Sequence, residues 1–261
     1  MRRVQPEVRL ISRPSLDYAA ATDYLEAVGG TGWLERLDRG ELDDPQNLIE
    51  FAGRVCYRSW EPGLNPNVTR IRTDQEKYLA NLLSSLHGSV LEHANFSFVI
   101  HNVSRVVTHE LVRHRAGTAV SQESLRFVRL QDLPFWFPEW AENDIELMER
   151  ACALLKDMEE FQQWMAEHFK LDEEGVPFKE KKAKTSFMRR LAPEGIATGL
   201  VWTANVRTLR HVIESRTAVG AEEEIRLVFG KIAEVMAKEA PAIFGDFHVE
   251  DGAWIPGWRK V

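Results

Sequence analysis

Phe96-Ser97-Phe98-Val99-Ile100-His101 sets three large apolar side chains, Phe96, Phe98 and Ile100, at every second position. A period of two marks a half-buried strand. The sequence on either side is helical. Upstream, Thr73-Asp74-Gln75-Glu76 reads as a capping box. Tyr78, Leu79, Leu82, Leu83 and Leu86 follow as one apolar stripe, and Gly88 is the expected stop. Downstream, Ser104 is placed to cap a second helix, with Val107 and Leu111 on one side and Arg113-His114-Arg115 at its end.

Further out, helices again dominate. Residues 14–28 predict a helix with Pro14 in its first turn and Gly29-Gly30 as its end. Residues 40–66 are mixed, with a short helix over 48–55 and a Pro/Gly/Asn loop over 62–67. Ile145, Met148, Cys152, Leu155, Met158, Phe161, Met165 and Phe169 make residues 143–169 a long amphipathic helix. A charged stretch at 179–184 leads to Met188-Arg189-Arg190. Residues 200–206 alternate loosely as a strand. Residues 208–216 and 222–240 are helical, and Pro241 is expected to end the second of these. The chain has no internal repeat, low-complexity segment or evident linker. Helices outnumber strands, and the two do not alternate as a doubly wound sheet requires, so the fold class is α+β.

Composition narrows the function. The 261 residues are 44% hydrophobic and 28% charged, the balance of a soluble globular protein able to bury a sizeable core. Lys plus Arg number 33 against 40 Asp plus Glu, a net charge of −7. A generic nucleic-acid binder leans basic, so local arginine clusters here point to a small anionic ligand. Two cysteines, Cys56 and Cys152, provide neither a disulfide framework nor zinc spacing. No run reaches the length of a membrane span, and Met1-Arg2-Arg3 lacks the apolar core of a signal peptide, which reads as cytoplasmic.

The chemistry is concentrated in residues 109–127. Arg113, His114 and Arg115 stand together, and Ser121, Gln122, Glu123, Ser124 and Arg126 follow a run of small residues. Planar guanidinium groups beside hydroxyls and amides can hold a phosphate and a heterocycle edge through bidentate and short hydrogen bonds. His109-Glu110 begins like the zinc-protease helix, but His114 comes one residue late. On a helix, a spacing of five turns two side chains about 140° apart, against about 40° for a spacing of four. The two histidines therefore do not chelate one ion, and no metal is expected.

Elsewhere, Cys56 in Arg54-Val55-Cys56-Tyr57 reads as a buried small apolar residue. His87-Gly88-Ser89-Val90-Leu91-Glu92-His93 reads as a cap and turn, which leaves Glu92-His93 unexplained. Arg207, His211 and Ser215 recur at spacings of four, with Trp202, Asn205 and Arg216 nearby, either as a solvated face or as a second site.

Taken together, these segments resemble the flavin-dependent thymidylate synthases. The family signature is Arg-His-Arg, seven residues, then Ser, within a pattern ending Ser-x-Arg-Tyr. Here Arg113-His114-Arg115 is followed by eight residues before Ser124-Leu125-Arg126-Phe127, one more than the family has. That residue is expected to bulge at Ala116-Gly117-Thr118. His87, Ser89 and Glu92-His93 resemble the family's Gly-His-x-Thr-Pro-Phe-Glu-His segment, and Arg54-Val55-Cys56-Tyr57 its Arg-Val-(Ser/Cys)-(Phe/Tyr). Arg189 and Pro193, then Trp202-Thr203, Asn205, Arg207, Leu209 and Arg216, match its second half in order and spacing. About 50 N-terminal and 20 C-terminal residues are weakly covered.

The resemblance implies one domain over 1–261, with helices around a central, mainly antiparallel sheet. It implies reductive methylation of dUMP to dTMP, with methylenetetrahydrofolate as one-carbon donor and FAD, reduced by NADPH, as hydride carrier. It also implies a homotetramer with active sites shared between subunits. Carried over residue by residue, Arg216 activates the uracil ring. Glu110, Arg113, Gln122, Glu123, Ser124, Leu125, Arg126, Arg189 and Arg216 contact dUMP, with Arg189 coming from a neighbouring subunit. Ser89, Arg113, His114, Arg115, Gln122, Asn205, Arg207 and His211 contact FAD, and His87 lies near flavin and folate. Glu110 stands where some members have Gln, and His211 where others have Asn. Ser124 has no adjacent general base, so its role is hydrogen bonding and not nucleophilic attack. Two other classes compete: a non-catalytic nucleotide- or RNA-binding module, which the acidic net charge disfavours, and a different flavoprotein oxidoreductase. The latter lacks a Gly-rich dinucleotide fingerprint after a strand.

Overall fold

The strand quoted first is the centre of the molecule. A computed structural model describes residues 1–37, 45–126, 132–259 and 261. Phe127 and residues 40–44 of the mixed segment lie outside these. In chain order the elements are β1 (Arg2–Arg3), β2 (Glu7–Ser12), α1 (Tyr18–Val28), α2 (Gly32–Arg36), α3 (Pro45–Tyr57), α4 (Gln75–Ser84) and β3 (Asn95–Ser104). α5 (Arg105–Leu111), β4 (Thr118–Gln122), β5 (Pro134–Phe135), α6 (Glu139–Glu142), α7 (Ile145–His168) and α8 (Phe178–Met188) follow. The chain continues with β6 (Ala197–Asn205), α9 (Val206–Thr217), α10 (Glu223–Glu239), α11 (Pro241–Phe244), β7 (Phe247–Glu250) and β8 (Ala253–Pro256).

The main sheet has four strands in the order β2-β3-β6-β4, every neighbour antiparallel. Phe96, Phe98 and Ile100 pair with Ala204, Trp202 and Leu200, and all six are buried, so the period-two pattern does mark the core face. α4, α9 and α10 cover that face through Leu79, Leu83, Val212, Ile213, Phe229 and Ile232. Three smaller clusters gather among the described residues: Leu133, Phe135, Leu155 and Ile196; Leu25, Trp33 and Trp60; and Met165, Leu171 and Met188. The α+β class with a central antiparallel sheet stands.

Several local expectations shift. α1 is capped by Asp17 and not begun at Pro14, because the Asp17 carboxylate accepts the Ala20 N–H at 3.1 Å; Gly29 closes it in the left-handed conformation as expected. α3 is longer than 48–55. α4 is capped by Asp74, which accepts from Lys77 N at 3.0 Å, and not by Thr73. Gly88 does not stop it: the helix ends at Ser84, and Leu86 (φ 58°) makes the left-handed turn with its side chain exposed, outside the apolar stripe. Pro241 ends α10 by opening the short α11. α7 buries Met148, Leu155 and Met165, but Ile145 and Phe161 of its expected stripe are exposed. Cys56, expected in the core, is exposed, because the inward positions of α3 are taken by Ile49, Gly53 and Arg54. Among the described residues no helix is long and apolar enough to cross a membrane.

Candidate active site

β3 and β6 are central neighbours, and each runs directly into a helix. Ser104 ends β3 and caps α5: its Oγ accepts from Val107 N at 3.3 Å. The buried Glu224 carboxylate of α10 in turn receives the Ser104 N–H at 2.8 Å. Burial holds that carboxyl above the usual carboxylate range. At the other end of the sheet Asn205 closes β6 and caps α9, its Oδ1 accepting from Thr208 N at 2.8 Å.

The loop after α5 carries Arg113-His114-Arg115 and is tied to the start of α9. Asn205 N donates to Gly117 O at 3.0 Å, and Thr208 Oγ1 donates to Ala116 O at 2.9 Å. Gly117 has φ 68°, and a Cβ there would collide with the Asn205 side chain. Residues 116–118 thus turn through a left-handed glycine just before β4.

This junction brings α5 and α9 together around one guanidinium. Arg216 donates from Nη1 to Glu110 Oε2 at 2.5 Å, from Nη2 to Glu110 O at 3.0 Å and from Nε to His114 Nε2 at 2.8 Å. Accepting at Nε2 requires a neutral imidazole with its proton on Nδ1. Burial first, then the Arg216 and His211 charges, push the His114 pKa from 6.5 down to about 4. His211 lies edge-on to His114, with ring centroids 5.9 Å apart.

Beside this cluster opens a cavity of about 680 Å³. Arg113, His114, Arg115, Asn205, Arg207 and His211 line it, with Glu92, Trp258 and Arg259 among the other wall residues. Arg207 Nη1 meets Glu92 Oε1 at 2.6 Å, which accounts for Glu92. A second cavity of about 320 Å³ shares Arg207 and holds His87 and Ser89; the His87 ring stacks on Tyr57 at 5.8 Å.

Residues 40–242 match the family described as thymidylate synthase complementing protein. The chain belongs to that family. It is 35% identical over 238 residues to the flavin-dependent thymidylate synthase of Mycobacteroides abscessus, covering 88% of each chain. Over 234 residues it is 35% identical to that of Mycobacterium tuberculosis, again with 88% of each covered. Two solved structures share the fold. One is thymidylate synthase X from Helicobacter pylori with FAD and dUMP, at TM-score 0.60 and 18% identity, covering 93% of this chain and 98% of that one. The other is the UMP/dUMP methylase PolB from Streptomyces cacaoi with 5-Br UMP, at TM-score 0.63 and 16% identity, covering 94% of both.

Set against the thymidylate synthase complementing protein pattern, the site residues divide into two groups. Five of those matched to flavin and Arg113, matched to both ligands, form one continuous wall. Those matched to the nucleotide are dispersed. Gln122 Nε2 donates to Thr108 Oγ1 at 3.3 Å, and Glu123 accepts the Gly199 N–H at 2.9 Å. Ser124 Oγ accepts from Arg126 N at 3.4 Å, Leu125 packs on the Leu155 cluster, and Arg189 is exposed at the end of α8. Arg126 keeps a buried Nε that meets no hydrogen-bond partner among the described residues. His109 turns away to Glu194, 2.6 Å distant, while His114 faces Arg216. Among the described residues no group of three or more His, Cys, Asp or Glu is arranged to hold a metal. Sequence reasoning missed Trp258 and Arg259, whose place in the wall depends on where the tail docks.

Proposed function

We propose that this chain is an enzyme, a flavin-dependent thymidylate synthase, converting dUMP to dTMP as one domain over 1–261. The observation that carries this reading is the fixing of Arg216 by Glu110 and neutral His114 beside the arginine-lined cavity. The cavity fits FAD in size and in donors. Its volume lies within the usual range for ligand sites, and Arg113, Arg115 and Arg207 suit a diphosphate. Bound there, FAD supplies the hydride, with NADPH as the source of reducing equivalents and methylenetetrahydrofolate as the source of the one-carbon unit.

The chain's own residues prepare the pyrimidine. Uracil C5 is a weak carbon nucleophile until negative charge develops across N3 and O4. A cation fixed before the reaction stabilises that charge without reorganising. Arg216 takes this role and His114 orients it. Arg126, whose buried Nε meets no partner among the described residues, and Ser124 hold the nucleotide, with Arg189 contributed by a neighbouring subunit. Glu110, Gln122, Glu123 and Leu125 border the same nucleotide. Ser89, Asn205 and His211 join the arginines on FAD, and His87 faces flavin and folate. Exposed apolar side chains on α6, α7 and α8, Trp140, Ile145 and Phe178 among them, support assembly into a homotetramer. The enzyme is placed in the cytoplasm.

The test is release of the C5 hydrogen of dUMP by purified protein with FAD, NADPH and methylenetetrahydrofolate. Release that depends on all three is expected. A protein that binds flavin and releases none is a different oxidoreductase.

A further inference from the structure

The C-terminal tail lies beyond the residues that match the family, yet it builds part of the cavity wall. Its backbone is fixed there. Arg210, with 4% of its side chain exposed, pairs with Asp246 at 2.7 Å and donates from Nη2 to Trp258 O at 3.0 Å. Trp258 N donates to Asp246 Oδ2 at 3.0 Å, and Gly257 N to Asp246 O at 2.9 Å. Clamped on both sides, Trp258 still leaves its side chain 44% exposed, whereas Trp33, Trp60 and Trp202 are buried. No other aromatic ring of the described residues packs on its indole. Next to it Arg259 Nε meets Glu214 Oε1 at 3.1 Å on the same wall.

Helix geometry separates this corner from Arg216. At about 100° per residue, Arg207, His211 and Glu214 share one face of α9, and Arg216 lies about half a turn round from Arg207. A ligand with one ring system near Arg216 and His114 therefore has its other half beside the tail. A half-exposed indole next to arginines suits a flat heterocycle attached to phosphates, because stacking needs only a π-face and the cations take the charge.

We propose that the tail forms the adenosine subsite of this enzyme: Trp258 stacks on the adenine of FAD, and Arg259 faces its diphosphate. This rests on the flavin reading above. The test compares affinities for FAD and for FMN, which lacks the adenosine, in the full-length protein and in W258A and W258F. W258A is expected to bind FAD about tenfold more weakly, the size of one lost base–aromatic stack. FMN binding is expected to be unchanged, and W258F to keep FAD affinity within about twofold, since its ring still stacks. FAD loss in W258F equal to that in W258A, equal losses for FAD and FMN, or no FAD loss in W258A would each overturn the subsite. Wild-type protein that binds neither flavin would remove the flavin reading itself, and the subsite with it.

Discussion

Two of the arginines that the family pattern marks, Arg54 and Arg216, each pair with a glutamate, and the two pairs do opposite work. Arg54 and Glu50, 2.7 Å apart, have 0% and 3% of their side chains exposed. The Arg54 guanidinium donates to Glu50, Ser59 O and Arg72 O, and it lies 4.3 Å above the Tyr78 ring. Glu50 also receives Trp33 Nε1 at 2.9 Å and Gln75 Nε2 at 3.0 Å. Arg216 and Glu110, 2.5 Å apart, keep 19% and 32% exposure, and His114, the partner of Arg216, lines the cavity. A charge closed in on every side fastens helices, while one with an open side can meet a ligand with its partners still in place. Position in a family motif does not distinguish the two, nor does the number of hydrogen bonds; access does.

The largest expected effect falls on the closed pair. Arg54→Met leaves Glu50 charged and unpaired inside the protein, which costs about 3–5 kcal/mol. Urea denaturation should register that loss, while turnover per folded molecule stays near wild type. A loss under about 1 kcal/mol would show that the two pairs are not different in kind.

Arg216→Ala should reverse the pattern. Removing a fixed donor at developing charge costs about 10²–10³ in turnover. C5-hydrogen release should fall by at least that much, with FAD still bound and the urea midpoint little changed. Near-normal release would refute the role given to Arg216.

Glu110→Gln is smaller and sharper. Because the carboxylate fixes Arg216 and borders the nucleotide, its replacement by an amide should raise the KM for dUMP by about two- to fivefold, the worth of a partly exposed ion pair. A lowered KM would instead mean that the carboxylate competes with uracil for Arg216.

The sequence discloses whatever is local. The Phe96 strand is legible because its period of two coincides with complete burial, and the Ser104 cap because a side chain and an N–H three residues on make it. The turn at Gly117 is legible because a glycine among small residues can take the positive φ and the close approach to Asn205 found there. Gly88 misleads. A glycine after an apolar stripe looks like a helix stop, but its lack of a Cβ serves a close approach to Val261 from the far end of the chain. Cys56 misleads likewise, since a small residue says nothing about which way its helix faces. The wall formed by Trp258 and Arg259 is invisible in sequence because it depends on Arg210 and Asp246 meeting across tertiary structure.

The smallest effect concerns pH, and it tests whether the open pair depends on neutral His114. In the folded chain the His114 pKa is about 4, against an ordinary value of 6.5. As pH falls through that window, the unfolded chain takes up the proton before the folded one does, so protonation favours unfolding. Stability should therefore drop between about pH 6.5 and 4 and gain no further slope from this residue below it. His114→Gln keeps an acceptor for Arg216 but cannot titrate. The stability difference between wild type and His114→Gln, followed by urea denaturation, should shift against the wild type only within that window. The partial exposure of His114 keeps the shift below what the same displacement would give a fully buried group. A difference that stays flat from pH 7 to 4 would mean that the folded chain protonates His114 as readily as the unfolded one, so that no bond from Arg216 holds the ring neutral, and the open pair would then owe its geometry to Glu110 alone.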